Sequence, residues 1–197
     1  DLLNVAMHLQ PIGGLRPLSY KTLFGLLAVT GMRISEALSL DCADVNIDQC
    51  LLTIRNTKFR KSRIVPISRT TSSALHSYER VRQQHGRATG CQAFFISAIG
   101  KRLPSRTVHG VFQQLRHDLG WRARGGHPHP RLHDLRHTFI CRTLMRSQQD
   151  AVPPDRIVDT IATYVGHAKV SDTYWYLSAI PGTSGCGCGS LCSSNRR

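Results

Sequence analysis

The hydrophobic period of this 197-residue chain changes once and then changes back. Between Asp44 and Ser68 the apolar residues stop recurring at helical spacing. Leu51-Leu52-Thr53-Ile54 and Arg63-Ile64-Val65-Pro66-Ile67 are short, β-rich runs, joined by Asn56-Thr57-Lys58-Phe59-Arg60-Lys61-Ser62. Two such runs around a polar turn predict a hairpin, and Asp44–Ile47 supplies a third strand. Pro66 has no N–H for a ladder, so its strand belongs at a sheet edge. A sheet this small cannot bury both faces alone, and helices must cover it.

Helical spacing dominates everywhere else. Residues 2–10 predict a short helix ending before Pro11, and Pro11–Pro17, with Gly13-Gly14, a loop. Ser19 is the expected N-cap of a helix running to Thr30, with Gly31 as its stop. Arg33-Ile34-Ser35-Glu36-Ala37-Leu38 starts a short helix directly afterwards. Helices are expected from Thr70 to about Gln84 and from Ser105 to Leu119. Another runs from about Leu132 to Ser147, one from Pro153-Pro154 to Val165 with Gly166 as its stop, and a last from Val170 to Leu177. Phe94-Phe95-Ile96 is a buried segment of undefined type. The fold class is therefore α+β, mainly α-helical with a small three-stranded antiparallel sheet.

Charge narrows the function. Lys and Arg number 26 against 12 Asp and Glu, a formal net charge of +14. On a chain that is 41% hydrophobic, and so able to fold, this excess points to a polyanion, most often nucleic acid. No apolar run approaches the ~18 residues of a membrane span, and no basic amphipathic helix stands out. The cations come in small groups, Arg60-Lys61-Arg63, Lys101-Arg102-Arg106 and Arg122-Arg124-Arg131. That dispersion suits a folded surface tracking a nucleic-acid backbone, so Arg60, Lys61, Arg63, Lys101, Arg102 and Arg106 are the expected nucleic-acid contacts. The seven cysteines form no C-x-x-C pair and read as reduced thiols of a cytoplasmic protein. No metal site is expected. Pro181 onward is rich in Gly, Ser and Cys and predicts a disordered tail.

One stretch carries the chemistry. In His133-Asp134-Leu135-Arg136-His137-Thr138-Phe139 a histidine and an arginine stand three residues apart on a helix, hence on one side of it. A guanidinium and an imidazole converging on one point suit a phosphate, the first chelating two oxygens and the second adding a donor or a base. Arg33, near a helix start where backbone N–H groups also favour an anion, is a further candidate.

Taken together, Arg33 in Thr-Gly-Met-Arg-Ile-Ser-Glu-Ala-Leu, Lys58 on the hairpin, His133-x-x-Arg136, Gly166-His167 and Tyr176 resemble the catalytic set of the tyrosine recombinases, the phage-integrase family. Order and spacing hold across about residues 18–178. The wording Tyr-Val-Gly-His-Ala-Lys-Val-Ser-Asp-Thr-Tyr-Trp-Tyr is similar to integrases of bacterial mobile elements. The resemblance implies the DNA breaking-rejoining catalytic fold over residues 1–180, with 181–197 as a tail. It implies a 3′-phosphotyrosyl intermediate through Tyr176 and transesterification without metal, ATP or other cofactor. Arg33 and Arg136 would clamp the phosphate. Lys58 would protonate the leaving oxygen, with Lys61 the alternative. His133 would take the tyrosine proton and His167 donate to a non-bridging oxygen. Glu36 would orient Arg33 or a histidine, and His137 reads as packed structure.

The implied partners are double-stranded DNA and other copies of the chain, as a tetramer on two paired sites, with no small-molecule substrate. The implied location is the bacterial cytoplasm, at the nucleoid when bound. Two departures from the family pattern open an alternative, a DNA-binding remnant without strand exchange. The sequence starts at the catalytic domain, without the usual N-terminal clamping domain, and the Gly/Cys/Ser tail replaces a docking helix. Relaxation of the type IB topoisomerase kind is a third reading.

Overall fold

A computed structural model of the chain describes residues 1–55, 62–86, 90–122, 129–149, 153–167 and 169–177. They fall into two compact units, divided between Phe139 and Ile140. The elements in order are α1 (Leu2–Ala6), α2 (Leu15–Thr30), α3 (Ile34–Ser39), a 3₁₀ turn (Cys42–Asp44), β1 (Val45–Asn46), β2 (Leu51–Ile54), β3 (Arg63–Pro66), α4 (Arg69–Gln84), α5 (Ser105–Asp118), α6 (His133–Gln149), α7 (Pro154–Val165) and α8 (Ser171–Leu177). The α+β reading, mainly helical with one three-stranded antiparallel sheet, is what the structure has.

The sheet runs in the order β1-β2-β3, with Val45 opposite Leu52, Leu52 opposite Val65 and Ile54 opposite Arg63. Leu52, Ile54 and Val65 turn inward, whereas Ile64 is exposed, so one face is buried. Pro66 lies on an outer strand, where a missing N–H costs least.

Helix α2 is the axis of the first unit. Leu23, Phe24, Leu26 and Leu27 are all but fully buried. Phe24 meets Phe112 of α5 edge-on at 5.8 Å, and Phe112 meets Trp121 at 6.2 Å. A second aromatic knot joins Tyr78 of α4 to Phe94 and Phe95, with centroids 5.1–5.4 Å apart. The 93–96 segment forms isolated bridges, Asp41 with Ala93 and Ile96 with Arg102, so it is extended chain outside the named strands.

The start of α2 corrects the expectation. The helix begins at Leu15, with extended Gly14 before it and Pro17 in the first turn, where a missing N–H is harmless. Ser19 is therefore interior and buried, and its hydroxyl donates to the Leu15 carbonyl at 2.9 Å. The stop does hold: Gly31 sits in the left-handed region at φ 60°, its N–H on the Leu27 carbonyl at 3.0 Å. Gly166 ends α7 in the same way, at φ 71°.

Helix α6 begins in the first unit and ends in the second. Within the second unit Ile161, Ala162 and Val165 of α7 are buried, as is Thr173 of α8. Among the described residues no helix is long and apolar enough to cross a membrane. Lys58, Arg60, Lys61 and the 181–197 tail lie outside the described residues.

Candidate functional site

Gly31 is where the site begins. Its φ is closed to most side chains, and a Cβ built on it would stand 2.4 Å from Cδ1 of Phe139. The turn it permits delivers Arg33 to the N-cap of α3 with extended backbone. Its carbonyl accepts Nη1 of Arg136 at 2.8 Å, a bond spanning 105 residues of sequence. Arg136 is thus held, 3% exposed, against the turn that sets Arg33. Gly31→Ala combines left-handed strain with overpacking against Phe139, and is expected to cost roughly 2–4 kcal/mol of stability. Urea unfolding should show a lower midpoint at unchanged slope.

Glu36 organises Arg33. Its carboxylate Oε2 accepts the Arg33 backbone N–H at 2.9 Å, closing the first turn of α3, and Oε1 accepts Arg33 Nη1 at 3.0 Å. Arg63 approaches the same carboxylate from β3, with Nη1 on Oε1 at 3.0 Å and Nη2 on Oε2 at 2.8 Å. Burial pushes the Glu36 carboxyl up, but the hydrogen bonds and charge of Arg63, with the bonds from Arg33, outweigh it and hold the group below the usual carboxylate range.

His133 and Arg136 line one cavity of about 500 Å³, together with Met32, Ile34, His109 and Arg116. Burial draws His133 below the ordinary imidazole range, aided by the charges of His137, Arg136 and Arg131 and opposed by Asp134. A neutral imidazole at neutral pH is a competent proton acceptor. His137 packs edge-on against His133 at 4.6 Å.

The second unit holds the remaining described candidates. His167 follows the Gly166 stop, and its N–H returns to the Ala162 carbonyl at 2.9 Å. Its Nδ1 lies 2.7 Å from the hydroxyl of buried Thr173, which fixes the ring. Tyr174 is exposed and donates its hydroxyl to Asp155 Oδ1 of α7 at 3.1 Å. Tyr176, one residue before the end of α8, is half-buried.

Not every expected DNA contact is a plain surface cation. Arg63, expected to face DNA, has its guanidinium on Glu36. Arg102 donates to the Leu38 and Leu40 carbonyls at 2.7 and 3.3 Å and pairs with Asp41, so it caps the exit of α3. Lys101 and Arg106 are exposed.

The sequence matches the description of the phage integrase family over residues 4–181. The chain belongs to that family. It is 43% identical over 168 residues to a Sinorhizobium fredii protein named as an integrase/recombinase, y4rB, covering 85% of this chain and 54% of that one. It is 31% identical over 180 residues to the tyrosine recombinase XerC of Chlamydia trachomatis, covering 88% of this chain and 50% of the relative. The chain thus spans about half the length of the curated relatives it matches. Among solved structures, the XerH site-specific recombinase bound to its difH substrate shares the fold, with a TM-score of 0.67 at 19% identity, covering 90% of this chain and 47% of that one.

For this phage integrase family member the structure adds three partnerships that the sequence did not announce. They are Gly31 with Arg136, Arg63 with Glu36, and Thr173 with His167. Only the last is local, six residues apart, and a threonine at that offset carries no pattern to flag it.

Proposed function

We propose that this chain is the catalytic part of a site-specific DNA recombinase that cuts and rejoins duplex DNA through a phosphotyrosine. The phenolic oxygen of Tyr176 attacks the scissile phosphorus. The new O–P bond forms as the bond to the 5′-oxygen breaks, leaving a 3′-phosphotyrosyl ester and a free 5′-hydroxyl. His133 takes the phenol proton and Lys58 supplies one to the leaving oxygen. The second half repeats these steps in reverse, with a 5′-hydroxyl of the partner strand as nucleophile. One ester replaces another, so neither ATP nor a metal is needed for the exchange.

The five-coordinate transition state carries about one more negative charge than the phosphodiester. Fixed cations therefore favour it over the ground state. Arg33 and Arg136 are that clamp, and His167 donates to a non-bridging oxygen. This role requires the proton on Nε2 of His167, the tautomer in which Nδ1 accepts from the Thr173 hydroxyl 2.7 Å away. The observation that carries the reading is the Arg136–Gly31 bond, which seats one arginine against the turn that positions the other. The XerH neighbour was solved on DNA in a post-cleavage state, and the +14 charge fits the same partner here. A tetramer on two paired sites, acting on nucleoid DNA in a bacterial cytoplasm, completes the reading.

The test uses the 197-residue chain and a pool of nicked duplexes with randomised cores, from which a cleaved sequence is recovered as a covalent adduct. An adduct on denaturing gels is expected. Duplex affinity should fall by about 0.9 logarithmic units per phosphate contact for each tenfold rise in salt. Salt-dependent binding with no adduct from any core supports the DNA-binding remnant instead. A flat salt response removes the nucleic-acid reading altogether. Relaxation of supercoiled plasmid without joining of two sites would favour the topoisomerase-like activity.

A further inference from the structure

Glu36 is 8% exposed, and its carboxylate is saturated. Oε1 receives Nη1 of both Arg33 and Arg63, and Oε2 receives the Arg33 backbone N–H and Arg63 Nη2. Those four donors match the four lone-pair sites a carboxylate offers. The two arginines meet it differently. Arg63 presents a two-pronged fork and only 15% of its side chain is exposed, whereas Arg33 gives a single guanidinium N–H and 31% of its side chain is exposed. Arg33 has five such donors, and Glu36 uses one of them.

We propose that Arg63 is a positioning residue for Arg33, acting through Glu36, and does not itself contact DNA. The inference rests on the recombinase reading above. The physical reason is competition for one guanidinium. A buried carboxylate with Arg33 as its sole cation would draw that side chain in and cancel its charge, and a phosphate would have to displace it. With Arg63 gripping both oxygens from β3, the carboxylate is compensated from the sheet side. Arg33 is then steered by one bond and keeps a net positive site for the scissile phosphate. The fork also fixes the plane of the carboxylate, and through it the direction of Arg33 Nη1. A lysine in place of Arg63 would restore charge without the fork.

The experiment is a double-mutant cycle on the full chain with the cleaved duplex recovered above. It reads single-turnover cleavage rate, duplex affinity against salt, and thermal melting. Arg63→Ala is expected to slow cleavage by roughly tenfold to a hundredfold, the penalty typical of displaced reacting groups, with the salt slope unchanged. In a Glu36→Gln background the same substitution should cost nothing further, because its effect runs through the carboxylate. Arg63→Lys should recover part of the rate, and it reads the same cycle if Arg63→Ala melts below the assay temperature. A salt slope lowered by about one phosphate contact, or an undiminished loss in the Glu36→Gln background, overturns the proposal. So does a wild-type rate for Arg63→Ala while the unmodified chain forms adduct, which leaves the recombinase reading standing. No adduct from the unmodified chain removes that reading, and this inference with it.

Discussion

Tyr176→Phe is expected to abolish the covalent protein–DNA adduct while leaving salt-dependent duplex binding intact. The substitution removes one oxygen, the one with which the proposed mechanism forms the ester. No other change of this size separates chemistry from binding so cleanly. The companion variant is Tyr174→Phe, which should form adduct at the wild-type rate. Tyr174 donates its hydroxyl to the Asp155 carboxylate of α7. The spacing from His167 that the family resemblance implies favours Tyr176 as nucleophile. Denaturing gels of both variants on the same nicked duplex decide it. Adduct persisting in Tyr176→Phe and lost in Tyr174→Phe would move the nucleophile by two residues.

What the sequence revealed and concealed follows from the range of each interaction. Gly31 and Gly166 were legible as helix stops because a left-handed residue is a local demand that glycine meets at no steric cost. The strands were legible because the loss of helical spacing, the short β-rich runs and Pro66 are local as well. Ser19 misled because the same hydroxyl that caps a helix can also bond the carbonyl four residues back. Only the packing of the preceding loop decides between the two. The long-range pairs left no trace. Arg63 reaches Glu36 across 27 residues and Arg102 reaches Leu38 across 64, yet in sequence both are ordinary members of basic clusters. Arg82 makes the same point from α4. It is 6% exposed and holds the Ala93 carbonyl with Nε at 3.1 Å. A count of cations thus does not separate arginines that tie loops to helices from plain surface cations.

Arg136→Lys should slow cleavage by about 10²–10³-fold, the usual penalty for losing one fixed donor to a developing oxyanion, with little change in duplex affinity. The site itself supplies the reason. In the proposed clamp Arg136 both donates Nη1 to the Gly31 carbonyl and addresses the phosphate, two tasks that a planar fork of several N–H groups can share. A lysine has a single nitrogen and a compact charge. Satisfying the carbonyl pulls it away from the phosphate, and reaching the phosphate leaves the carbonyl unpaired in a buried place, at a cost of about 1–3 kcal/mol. The two demands separate in Arg136→Ala, which meets neither and should lose stability as well as rate. Single-turnover cleavage, duplex titration and urea unfolding on the two variants distinguish the contributions. A lysine variant cleaving within tenfold of wild type, where the donor penalty predicts about a hundredfold or more, would take Arg136 out of the clamp and leave it as a strut for the Gly31 turn.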